Sequence, residues 1–248
     1  MASLTPVWLT ARHNRLLAAL PDNVFAGIAP HLEPVVMPLG DVLYAPGSAL
    51  HYAYFPTTAI VSLHYVLENG ASAEVASVGN EGVVGISIFM GGDPPVSRAA
   101  VCTSGQGYRI RAPQLQEAFS QQHPLMHMLL RYTQALIIQI SQTAVCNRHH
   151  SMEQQMCRWL LLADDRLHSQ ELVITQELIA HMLGVRREGI TETAGALQRA
   201  GLISYHRGHI QILDRHGLEQ HACECYEVVH KGFTRFLNAP DAPPENHR

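Results

Sequence analysis

The chain of 248 residues lacks any apolar run approaching the ~20 residues of a membrane-crossing helix; even Leu136 to Ile140 is interrupted by Gln139. A spanning helix is excluded and no membrane partner is expected. Met1 to Trp8 has no cationic start leading into an apolar stretch, so no secretory signal is expected and the cytoplasm is the expected location. Cysteine is sparse and odd in number. Cys102, Cys146, Cys157, Cys223 and Cys225 are read as reduced thiols, not as a disulfide scaffold. Charge is low at 15%, and the excess of acid over base gives a net −4, so a polyanion would have to be met by a local patch. Lysine is nearly missing: Lys231 is the only one, and arginine carries the rest of the positive charge. Arginine offers a rigid donor fork suited to phosphates and guanine edges, although a GC-rich genome gives the same bias. What is plentiful is hydrophobic residue, at 47%, enough to bury a core and to exclude a disordered polymer.

Along the chain the texture changes twice. Residues 11 to 28 read as one or two short helices, with Pro21-Asp22 as a stop and new start. From about His31 to Pro113 come short β-favouring runs: Val35 to Met37, Val42 to Tyr44, Tyr52 to Phe55, Ile60 to Leu67, Glu74 to Ala76, Val83-Val84 and Ala99 to Cys102. Turn clusters such as Pro46-Gly47 and Gly79 to Gly82 separate them, and Asn69-Gly70 between two runs predicts a hairpin, because both turn positions must tolerate positive φ. Many short strands at this spacing predict an antiparallel jelly roll.

From Gln114 the pattern is helical. Leu125, Leu129, Tyr132, Leu136, Ile140 and Thr143 recur at three-to-four spacing and gather on one helix face. Met128, Leu130, Ala135, Ile137 and Ile138 make the other side apolar too. Such a helix must be covered on two sides, either by the β domain and a second copy of the chain or wholly within a monomer; the six-residue face is taken as the candidate dimer interface. Ser151 and Gln154 form a capping box for a helix reaching about Leu167. Residues 173 to 200 give two helices broken at Gly184, residues 202 to 213 a hairpin turning at Arg207-Gly208, and about 215 to 236 one final helix before a polar tail.

The two helices around Gly184 have a mechanical reading. Thr175 caps the first, Leu178, Ile179 and Met182 face inward, Gly184 permits the turn, and Ile190, Ala194 and Leu197 seat the second. This is a helix-turn-helix, and the hairpin behind it makes the winged version. Arg186, Arg187, Glu188, Gly189 and Glu192 are left at the start of the second helix, the end that reaches base edges in a major groove.

In this order of β-rich region, long helix and winged helix, over roughly residues 20 to 215, the chain resembles the CRP/FNR (cyclic-AMP receptor protein / fumarate-nitrate reduction) family of bacterial transcription regulators. The family signature after the turn is a small residue or serine, then Arg-Glu, then often a second Arg; Arg187-Glu188 match, whereas Arg186 and Glu192 depart from it. The resemblance implies an α+β protein. Its parts would be a cyclic-nucleotide-binding-like β-roll (20–120), a dimerisation helix (121–147), a winged helix-turn-helix with its C-terminal helix (148–237) and a tail (238–248). It implies a sequence-specific regulator and not an enzyme, acting as a homodimer on a palindromic double-stranded operator, with RNA polymerase and an unidentified small effector as further partners. Arg186, Arg187, Glu188 and Glu192 would contact bases, with Arg187 donating to a guanine edge and Glu188 accepting from a cytosine amine. Thr175, Gln176 and His206 would hold phosphates; Arg207 is added from its charge and place in the wing.

The family's cyclic-nucleotide cassette maps onto Gly85-Ile86-Ser87 and Arg98-Ala99-Ala100. The arginine survives, but Ile86 and Ala99 remove the acceptor for a ribose hydroxyl and a donor to the phosphate. Each such loss costs ~1 to 3 kcal/mol when the remaining partner is buried unpaired, so cyclic AMP is not the expected ligand. Gly85, Ile86, Arg98, Ala99 and Ser141 are the candidate effector pocket. No cofactor and no metal are expected: no cysteine precedes Cys102, and His221, Cys223 and Cys225, two apart on a continuous helix, point in different directions. The 16 histidines, His149-His150 included, are not read as a metal set. Two rivals stand beside the regulator: a cupin-type metal enzyme using His51, His64 and Glu74, and a dimeric interaction module without DNA binding.

Overall fold

A computed structural model describes residues 10–68, 72–167 and 171–238. The chain enters through α1 (Arg15–Ala18) and α2 (Asp22–Ile28), separated at Pro21 as the sequence predicts. Asn14 caps α1 by accepting from the Leu17 amide at 3.1 Å, and its own amide donates to the Pro56 and Gly82 carbonyls. A fully buried asparagine thus ties the entry helices to the sheet with its polar atoms in use.

The strands β1 (Glu33–Met37), β2 (Val42–Tyr44), β3 (Tyr52–Pro56), β4 (Ile60–Val66), β5 (Ser72–Val78), β6 (Arg98–Thr103) and β7 (Gly105–Arg111) form two antiparallel sheets, ordered β1-β7-β3 and β2-β6-β4-β5. Phe55, Val61, Ala99 and Ile110 are among the side chains buried in the roll. The predicted Asn69-Gly70 turn lies outside the described residues, but β4 and β5 pair up to Val66 opposite Ser72. Val83-Val84 is not a strand; Val84 makes a single bridge to Tyr54. A short helix α3 (Ser87–Met90) and strand β7 were not anticipated. In β7, Gly105 and Gly107 serve close approach: a Cβ would stand 2.5 Å from the Ala59 nitrogen at one and 2.8 Å from the Phe55 oxygen at the other.

Helix α4 (Ala112–Gln121) leads through an extended Gln122 into α5 (His123–His149), the long helix. Its inner face differs from the expected one in what covers it. Leu125, Leu129, Tyr132, Leu136 and Thr143 are buried by the chain itself, and of the six candidate interface residues only Ile140 is exposed. Tyr132 donates to the Val83 carbonyl at 2.9 Å, and Gly82 leaves room for its ring, since a Cβ there would stand 2.3 Å from it. The large apolar residues that α5 does show to solvent are Leu130, Ile137, Ile140 and Val145.

Ser151 and Gln154 make the capping box of α6 (Met152–Asp164). Beyond it come β8 (Glu171–Val173), α7 (Gln176–Leu183), α8 (Arg187–Arg199), β9 (Ile203–His206) and β10 (His209–Ile212). The wing has three strands, β8-β10-β9; β8 escapes the sequence reading because three residues carry no period. The final helix is two, α9 (Arg215–His221) and α10 (Glu224–Asn238). The break leaves Ala222 extended (φ −73°, ψ 158°) and turns Cys223 inward onto Cys146 and Cys225. The premise that Cys223 and Cys225 point apart on one continuous helix therefore fails.

One buried ion pair joins the three parts. Arg166, just past α6, meets Glu81 of the roll at 2.9 Å with both side chains 4% exposed. The same guanidinium donates to Ser77 of β5 at 2.7 Å and to Gln139 of α5 at 3.4 Å.

Candidate nucleic-acid interface

The helix-turn-helix is built locally. Thr175 accepts from the Leu178 amide at 3.2 Å and starts α7. Gly184 ends it in the left-handed region (φ 66°), where a side chain would be strained, and the Val185 amide closes back onto Ala180. Ile179, Met182, Ile190, Ala194 and Leu197 are buried between α7, α8 and their supports, whereas Leu178 is half-buried. Gly189 lets α8 sit close on α6, because a Cβ would stand 2.7 Å from the Met152 methyl.

That packing fixes the outward face. Arg186, Arg187, Glu188 and Glu192 are all exposed at the start of α8. Among the described residues, no side-chain hydrogen bond or ion pair occupies these four side chains. Thr175 is exposed and Gln176 half-buried beside them. Thr191, which the sequence reading passed over, donates to Gln176 Oε1 at 2.7 Å and ties the two helices together at this face. Its signal was weak: a threonine four residues after Arg187, where it also bonds to the Arg187 carbonyl.

The wing turn comes beside them. Arg207 (φ 49°) and Gly208 (φ 84°) both adopt positive φ between β9 and β10, the two-residue hairpin geometry that the sequence predicts. His206, Arg207 and His209 are exposed there. Arg215 lies elsewhere: it is held by Asp164, Asp165 and Glu219 and by the Tyr226 hydroxyl, and it clamps α9 to the end of α6. The reading face itself carries Arg186, Arg187 and Arg207 against Glu188 and Glu192.

Residues 154–221 match the Crp-like helix-turn-helix domain family. The chain thus carries a Crp-like helix-turn-helix domain. Its fold is shared with FixK2 from Bradyrhizobium japonicum, at a TM-score of 0.68 and 15% identity over 77% of this chain and 98% of that one. It is shared also with a CRP/FNR-family transcriptional regulator from Thermus thermophilus, at a TM-score of 0.60 and 23% identity over 77% and 98% of the two chains. A global nitrogen regulator from Synechococcus elongatus is 23% identical over 190 residues, 73% of this chain and 86% of that protein. No described helix is long and apolar enough to cross a membrane.

The β-roll does not bring the five expected effector residues together. Ala99 is buried in the core, Ser141 is exposed on α5, and Gly85 approaches Tyr52 and Ala53. Arg98 instead lines a cavity of about 360 Å³ with Ser62, His64, Leu178, His181 and Met182, between the β2-β6-β4-β5 sheet and α7. Burial, followed by the nearby charges of Arg98 and His181, holds the His64 imidazole below its usual range. The cupin triad does not form. His64 and Glu74 are cross-strand neighbours, but the convergent set of metal-type donors among the described residues contains neither of them, nor His51.

Proposed function

We propose that this protein is a homodimeric, sequence-specific DNA-binding regulator whose α8 enters the major groove. Arg187 donates to a guanine edge and Glu188 accepts from the neighbouring cytosine amine, with Arg186 and Glu192 reading adjacent bases. Thr175, Gln176, His206 and Arg207 hold the flanking phosphates. The observation that carries this reading is the exposed, uncommitted first turn of α8 beside an exposed arginine-tipped wing.

The twofold partner is a second copy joined along α5. Leu130, Gln134, Ile137, Ser141, Ala144 and Arg148 step by four and three residues and are all exposed. That is the spacing of a two-helix coiled-coil seam, and it replaces the inner face as the interface. The 20–120 roll then serves as an effector domain, 121–147 as the dimer helix and 148–237 as the reading head. Cyclic AMP is not its ligand, because Ile86 and Ala99 withhold contacts that a nucleotide needs and Arg98 faces another cavity.

Selection of bound fragments from random duplex DNA tests the proposal. The expected product is a palindrome whose half-sites are about 34 Å apart, one duplex turn. Enrichment of no motif, or of a single asymmetric one, would reject it.

A further inference from the structure

At the far end of α5 four soft donors converge from two distant stretches of chain. Cys146 lies on the last turn of α5, and His150 follows just past the helix end as its extended cap residue (φ −104°, ψ 152°). Cys223 and Cys225 arrive from the break between α9 and α10. The sulfurs of Cys146 and Cys223 are 3.5 Å apart, and the Cys225 sulfur is 3.6 Å from His150 Nδ1. All four donor atoms lie within 4.8 Å of one another. With zinc–sulfur bonds of about 2.3 Å, a tetrahedral centre sets its sulfurs about 3.8 Å apart, so the donors need little movement to close on one ion. The histidine pair at the other end of α5, His123 and His127, stands four apart on the helix, but both are exposed and, among the described residues, no third donor joins them.

The surroundings fit a bound cation. The three cysteines are buried and form a small core of their own, apart from the main one. His150 turns its other nitrogen, Nε2, toward Glu224 at 3.4 Å, the carboxylate–histidine arrangement that orients a metal-bound imidazole. Gln155 donates to the carbonyls of His150 and Cys146 and fixes the chain between two ligands. Arg158 is buried, acts electrostatically on Cys146 and Cys225, and keeps its Nε–H without a hydrogen-bond partner. Three thiolates on a divalent ion leave one net negative charge, which this guanidinium offsets.

We propose that Cys146, His150, Cys223 and Cys225 form a closed structural zinc site that pins the start of α10 to the end of α5. Three thiolates and one imidazole complete a tetrahedron, so no position is left open for substrate or water. The sulfurs sit too close together to straddle the iron–sulfide core of a cluster, which favours a single ion. Binding releases the thiol protons and joins helices far apart in sequence. The inference does not rest on DNA binding and stands or falls separately.

The test is metal analysis of the full-length, untagged protein purified without added metal. The expected result is one zinc per chain, released by a thiol-specific mercurial. The cobalt-exchanged protein should show thiolate charge-transfer and tetrahedral d–d bands. Cys146→Ser and Cys225→Ser should lose the zinc, and Cys157→Ser should keep it. Glu224→Gln, at an exposed position, should fold normally and weaken zinc binding about tenfold, which keeps the test decisive if the cysteine variants misfold. Protein that is metal-free with all thiols reactive, that carries a Cys146–Cys223 disulfide, or that binds iron with visible absorption would overturn the proposal.

Discussion

Arg187 and Glu74 are opposite kinds of charged residue, one spent on solvent and one denied it. With Arg187 on the exposed first turn of α8, Arg187→Ala should lower discrimination by ~1 to 3 kcal/mol at one base pair of each half-site, read from the selected motif. Glu74 is buried, one of its oxygens has no hydrogen-bond partner, and burial pushes its carboxyl up to about 7. A carboxyl raised in the fold holds a proton that the unfolded chain has already released. Its contribution is therefore complete at low pH and is lost as pH climbs from about 4.5 to about 7, by roughly 3 kcal/mol. Urea titrations at pH 5 and pH 8 should show that difference in the wild type and a smaller one in Glu74→Gln. The exposed placement of Arg187-Glu188 was legible because it depends on a local turn and helix start. Glu74 and Arg166 were not, because nothing in a strand or a helix end tells which long-range neighbours will shut out water.

Helix α5 shows where periodicity stops informing. The three-to-four spacing fixed its existence and nearly its length. An apolar circumference does not say which face meets the same chain, and the structure gives Leu125, Leu129, Tyr132 and Leu136 to the chain's own core. Ile137→Glu, at a position 54% exposed, should produce a monomer in sedimentation and abolish operator binding while leaving the thermal transition in place. A charge at Leu136 would instead unfold the protein. The wing was legible from its two-residue turn, and Arg207→Ala should weaken binding to every sequence alike, lowering the salt slope by about one per half-site. The break between α9 and α10 was not legible, because neither glycine nor proline marks it: it follows from the burial of Cys223 and Cys225.

Across the whole molecule, the order of roll, long helix and winged helix could be read from changes of texture, whereas the way the parts lean on each other could not. Arg166 and Glu81 are 85 residues apart and meet out of water. Glu81→Ala should therefore cost ~3 to 5 kcal/mol by stranding a buried guanidinium, seen as a shift of one cooperative denaturation curve with no separate transition for the C-terminal part.

The same guanidinium bears on how the gene can be cut. A fragment ending after the long helix would keep Glu81 but lose the cation that neutralises it. A fragment beginning at Ser151 would carry that cation away with nothing to neutralise. Each half would leave one member of the pair without its partner, so reporter fusions or hybrid proteins that exchange the roll between relatives must transplant this contact as well as α8.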